Sequence, residues 1–160
     1  MTGINWTRVG LGGLVAGLVM NAGEAALHGG ILGADAQALA AQYQINAPAS
    51  AVPIASLVAT TFVLGIAAVW LYAAIRPRYG AGPKTAMLAG FAVWVMAHLW
   101  SGVYLGMGIP GLVTARLAFL PIAWGLAEAA LATLAGAWFY SEAIGETASR
   151  RTSRETTAAG

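Results

Sequence analysis

The chain has 160 residues, 59% of them hydrophobic and 9% charged, with a net charge of +2. A soluble domain carries about 25% charged residues, so this is the composition of a membrane protein, with the length of a single domain. There is no cysteine, which excludes disulfides, thiolate nucleophiles and thiolate metal sites, and no phosphate-binding loop, nucleophile elbow or zinc motif occurs.

Four apolar segments follow one another: Val9–Leu32, Val52–Ile75, Thr85–Met107 and Leu112–Tyr140. Each reaches the roughly 20 residues needed to cross a hydrocarbon core. The predicted fold class is therefore all-α, an integral membrane four-helix bundle occupying residues 1–141. The first segment does not read as a cleavable signal peptide, because Glu24 and His28 stand where a small-residue cleavage site belongs. The connection after it, "ADAQALAAQYQINAPAS", holds a short surface helix over "DAQALAAQYQ" with Asp35 as its cap. The fourth segment is the longest and has Pro121 as a place to kink. Residues 142–160 form a polar tail without apolar periodicity, which reads as largely disordered.

Arg8, the loop residues Arg76, Arg78 and Lys84, and the tail residues Arg150, Arg151 and Arg154 fall on one side of a four-span chain. The excess of Lys and Arg makes that side cytoplasmic, so both termini are predicted inside. Trp70, Tyr72, Tyr79, Trp138 and Tyr140 would mark the inner interface, and Trp100 and Tyr104 the outer one. Arg116, near the outer start of the fourth segment, reads as a snorkelling side chain or as a counter-ion for the outer mouth.

The chain also compares with itself. At a shift of 68, "PIASLVAT" at 53 meets "PIAWGLAE" at 121; at a shift of 73, Ala16-Gly17 meets Ala89-Gly90 and Gly29-x-x-x-Gly33 meets Gly102-x-x-x-Gly106. The two alignments predict two similar helical hairpins related by an axis along the membrane normal. Together with Gly13-x-x-x-Gly17, the glycine pairs put small residues on helical stripes where backbones approach closely, within one molecule rather than between two.

The polar residues inside the segments carry the functional signal. Asn21, Glu24 and His28 have the i, i+3, i+7 spacing of one helix face. That face belongs inside the bundle, since a charge facing lipid costs several kcal/mol. Counting about 1.5 Å per residue from the loop ends, Glu24 and Thr60 lie roughly 24 Å deep, and His98 and Glu128 roughly 21 Å. All four helices thus offer a polar group in one layer, with Thr61 beside Thr60, and the repeat maps Thr60 onto Glu128.

Such a layer can be structural glue, with each interhelical bond worth about 0.6 kcal/mol. It can also bind a proton or a substrate: Glu24 is then the binding carboxylate, Glu128 and His98 its partners, and Asn21 and Thr60 supporting groups. Or it binds a metal or cofactor, with His28, His98 and Glu24 as ligands of suitable type. Glu24-x-x-x-His28 is not the Glu-x-x-His spacing of di-metal carboxylate bundles. His28 and His98 differ in depth by roughly 10 Å, a poor match to two axial ligands of one haem; a single-His haem or pigment site remains open.

"NAGEAALHG", "LYAAIRPRYGAGPKTA" and "WGLAEAALATLAGAWFY" together resemble a family of small bacterial membrane proteins with no established function, over about residues 4–141. The resemblance implies four spans in the bacterial inner membrane and brings no activity, ligand or site residue with it. Small multidrug-resistance exporters also have four spans and a carboxylate in the first, but the likeness is one of architecture alone.

The leading expectation is a small transporter or permeation-type protein and not an enzyme, with no cofactor required by the sequence. The alternatives are a non-catalytic accessory subunit of a larger membrane complex, and a haem-, pigment- or metal-binding protein using His98 or His28. Expected partners are the lipid bilayer and a second copy or a larger membrane complex; the basic loops suit anionic head groups better than nucleic acid.

Overall fold

The computed structural model of the chain describes residues 4–45, 52–108 and 111–158, with side chains described to Tyr140 and not at residue 52. Among these residues every element is helical. Four helices are long and apolar enough to cross a membrane: Trp6–Ile31, Pro53–Tyr79, Pro83–Gly108 and Ala115–Tyr140.

Helix α1, Trp6–Glu24, begins at Asn5, whose Oδ1 accepts the backbone N–H of Arg8 at 3.2 Å. It then widens into a π-helical segment, Ala25–Ile31, closed by Leu32 N–H donating to Leu27 O at 2.7 Å. Helix α2, Gly33–Gln42, follows directly. This is the surface helix predicted from "DAQALAAQYQ", but Asp35 is not its cap. Leu32 holds that position, and Asp35 sits in the first turn, where its carboxylate takes Arg116 Nη1 at 2.8 Å. The ion pair also settles Arg116, which reaches Asp35 rather than merely snorkelling. Tyr43 Oη donates to Gly111 O at 3.0 Å, a second tie between α2 and the start of the fourth span. The rest of this connection, residues 46–51, lies outside the described residues.

Helix α3, Val52–Tyr79, ends in a turn with Gly80 at φ 86° and Gly82 at φ 135°, values that favour glycine. Pro83 opens α4, Pro83–Trp94, at the position where a missing N–H costs nothing. A second π segment, Val95–Leu99, leads into α5, Trp100–Gly108. Thr114 then caps the last helix through Leu117 N–H at 3.3 Å. This helix, α6, runs from Ala115 straight through Pro121 to Ala158. The backbone of most of the tail is therefore helical, where composition alone predicts disorder. Only Gly145 and no proline interrupts residues 142–158, and Glu146 and Arg150 have the i, i+4 spacing that supports a helix.

In the bundle α1 packs along α3 and α6, and α4 packs on α6 and α3. Its centre is made of small residues, Ala16, Ala68, Ala89 and Ala132 among them, while Leu11, Leu18, Leu57, Met96 and Leu131 point outward. In water such a surface would be an association site. In lipid it is the expected arrangement, because helices there associate through close packing and not through burial of large apolar groups.

The closest approaches are at glycine. A Cβ on Gly12 would come within 2.5 Å of Gly136 O, and one on Gly13 within 2.5 Å of Ile66 Cα; Gly65 in turn faces Gly13 and Gly17. Gly102 and Gly106 face the first turns of α6, but Gly29 faces open space, so the Gly29–Gly33 pair does not pack a helix as its spacing suggests. Tyr72 and Tyr140 are also not interface anchors. Both are buried, edge to face at 6.0 Å, with the Arg76 guanidinium 5.7 Å above the Tyr140 ring.

Candidate functional site

The polar residues gather where the first, third and fourth spans meet. Glu24 closes the regular part of α1, His98 lies in the second π segment, and Glu128 projects from α6. One nitrogen of His98 and one oxygen from each carboxylate all lie within 4.8 Å of one another. Both π segments are therefore at the site. A π turn holds an extra residue and turns the following side chains to a new direction, a common device at functional sites.

Two glycines make the approach possible. A Cβ on Gly23 would overlap the Glu128 carboxylate, and one on Gly125 would overlap the His98 imidazole. Each glycine thus forms a recess in one helix for a polar side chain of another. The side chains are then held by hydrogen bonds. Trp124 Nε1 donates to Glu128 Oε2 at 3.0 Å, one turn along α6. Trp94 Nε1 donates to Ile122 O at 2.7 Å and ties α4 to α6. Ser101 Oγ donates to the carbonyls of Ala97 and His98, within the turns that carry His98.

Burial divides the cluster. Glu128 is 6% exposed, whereas the Glu24 side chain is 32% exposed and that of His28 54%. His28 Nε2 stands 3.1 Å from Glu24 Oε2. Glu24 therefore belongs to two environments. On one side it meets Glu128 and His98. On the other it lines a cleft of about 500 Å³ between the first and second spans, with Asn21, His28, Leu57, Val58 and Thr61. Asn21 Nδ2 donates to Gly17 O at 2.8 Å and reaches Val58 O at 3.4 Å, bridging the two helices along the cleft.

Of the residues singled out from sequence, the structure brings together Glu24, His98 and Glu128, with His28 and Asn21 around Glu24. It leaves out Thr60, which is exposed and donates to Ser56 O at 2.8 Å on its own helix. Thr61 takes the place on the cleft wall, with its own hydroxyl bonded to Leu57 O at 3.0 Å. Position 60 also faces away from the bundle where its repeat-mate Glu128 faces in. Sequence reasoning missed Trp124, Gly23 and Gly125. The i, i+4 spacing of Trp124 to Glu128 was a usable signal; the two recesses had none.

Chemically, the site holds two carboxylates near each other, and among the described residues the ion pairs are His28–Glu24 and Arg116–Asp35, so neither carboxylate is paired with Lys or Arg. Such a pair in a low-dielectric interior needs positive charge from a proton or a bound cation.

Compared with known proteins, the chain matches no family model, no curated protein and no solved structure.

Proposed function

We propose that the protein is a four-span membrane protein of permeation type whose binding centre is the Glu24–His98–Glu128 cluster. The observation that carries this reading is the double placement of Glu24, which stands beside His98 and the buried Glu128 on one side and lines the open cleft on the other. A carboxylate so placed can take a proton or cation from the cleft and present it to Glu128 and His98 without a large movement. Asn21 and His28 support it on the cleft side, and Trp124 holds Glu128 on the inner side.

The same reading puts the chain in a bacterial inner membrane with both termini cytoplasmic, supported by Arg8, Arg76, Arg78 and Lys84 at one end of the spans. Two similar hairpins fit it as well. At the shift of 73, Ala25 and Ala26 of the first π segment align with His98 and Leu99 of the second. The resemblance to small four-span bacterial proteins agrees with this setting.

The test is flux in vesicles. Purified protein is reconstituted with a pH-sensitive dye inside, and a membrane potential or a divalent-ion gradient is imposed. The wild type should move protons or ions well above empty vesicles, and Glu24→Gln and Glu128→Gln should each lower the rate at least about tenfold. Equal rates in the wild type and both variants would end the permeation reading.

A further inference from the structure

The cluster's donor set says which cation it suits. We infer that Glu24, His98 and Glu128 form a binding site for one divalent transition-metal ion of the Zn²⁺ class. This rests on the permeation reading only in taking the cluster as the protein's binding centre.

Three observations carry it. The first is distance. Ligand atoms about 2.0–2.2 Å from a tetrahedral ion are about 3.4 Å from each other. The three donor atoms already lie within 4.8 Å of one another, so they need to draw together by at most about 1.4 Å. The second is chemistry. An imidazole with two carboxylates suits Zn²⁺ and its neighbours, whereas Ca²⁺ and Mg²⁺ want six or more oxygen donors. Two carboxylates and a neutral imidazole around a divalent ion also sum to zero charge, which a low-dielectric interior favours. The third is support. Glu24 and Glu128 each have one oxygen engaged by a neighbouring ring nitrogen, of His28 at 3.1 Å and of Trp124 at 3.0 Å. Hydrogen-bonded carboxylates of this kind are the usual ligands of protein metal sites. The recesses at Gly23 and Gly125 fix the two deeper ligands before any ion arrives.

Three protein ligands leave a fourth position for water. That is the pattern of sites that exchange or act on something, not of closed structural sites. Exchange would pass through the cleft, where Glu24 is the ligand in reach.

The experiment uses the full chain, tag-free in detergent and stripped with EDTA. It is titrated with ZnCl2 by calorimetry and with CoCl2 by visible absorption, and the Zn²⁺-loaded wild type is measured by X-ray absorption. One Zn²⁺ per chain should bind, with a shell of nitrogen and oxygen that includes an imidazole. Glu24→Gln, Glu128→Gln and His98→Gln should each weaken binding tenfold or more, and His28→Gln about tenfold. Thr60→Ala, outside the cluster, should leave it unchanged. The X-ray measurement needs no variant, so a variant that fails to fold does not decide the matter. Absence of Zn²⁺ binding, binding undiminished in folded Glu24→Gln and Glu128→Gln, or a shell without imidazole would each overturn the assignment. The two readings separate cleanly. Zn²⁺ held by the cluster with no flux in vesicles removes permeation and leaves the ion site standing. Proton flux that needs Glu24 in a protein that binds no Zn²⁺ does the reverse.

Discussion

The two ends of this bundle use glycine for opposite purposes. Around Gly12, Gly13, Gly65 and Gly136, missing side chains let one backbone approach another. Around Gly23 and Gly125, missing side chains let a backbone receive a carboxylate and an imidazole. The first half is regular α-helix with an alanine centre; the second is where the π segments, the cluster and the cleft lie. The same residue type therefore sets stability in one half and the geometry of the site in the other, and substitution can tell them apart.

Gly65→Val should have the largest effect. Its Cβ would stand 2.7 Å from Gly13 O and from Gly17 Cα, so two backbones must separate. A loss of about 3 kcal/mol or more is expected, at the upper end of overpacking, read by reversible unfolding in mixed micelles. Gly10→Ala is the control: nothing lies within 4 Å of the added carbon, and a gain of up to about 1 kcal/mol is expected from backbone entropy.

Gly23→Ala and Gly125→Ala should behave differently. Their Cβ atoms displace side chains instead of backbone, so stability should fall by about 1–3 kcal/mol, less than in Gly65→Val, while Zn²⁺ affinity and vesicle flux drop at least about tenfold. If these variants unfold like Gly65→Val and keep their affinity, the division between the halves is wrong. Trp124→Phe sharpens the same point. It removes one N–H from Glu128 Oε2 and keeps most of the ring, so a loss of Zn²⁺ affinity near tenfold with little change in unfolding is expected.

The smallest effect belongs to the Asp35–Arg116 pair. Both side chains are partly open to solvent, and a double-mutant cycle with Asp35→Ala and Arg116→Ala should give about 0.2–1 kcal/mol, falling further in high salt. A much larger coupling would mean that α2 closes the cleft end of the bundle and does not merely rest on it.

Much of this was legible in the sequence, for reasons that also mark where it stopped. The four spans are legible because hydrocarbon thickness imposes their length. Glu24, His98 and Glu128 fall in one layer because helical rise converts residue number into depth. Depth says nothing about azimuth, which is why Thr60 and Thr61 look equivalent in a count but face different ways. The π segments escape because a pattern with a period of 3.6 has no place for an extra residue. Gly23 and Gly125 read like any other glycine in an apolar segment, since their meaning depends on which side chain arrives from another helix. Asp35 looks like a cap from local spacing, but its partner is Arg116, far along the chain.

The π segment Ala25–Ile31 implies an asymmetry in how the chain tolerates changes of length. A π turn contains one residue more than an α turn, so deleting a single residue there can heal into a regular helix. Asn21 and Glu24 before the healed turn and α2 beyond it then keep close to their directions, because the residue removed is the one the π turn held in excess. The same deletion between Val9 and Met20 would instead turn every glycine contact on one side of the cut away from its partner. The molecule thus carries a built-in place where its reading frame of contacts can be shortened by one, and it lies one residue beyond Glu24.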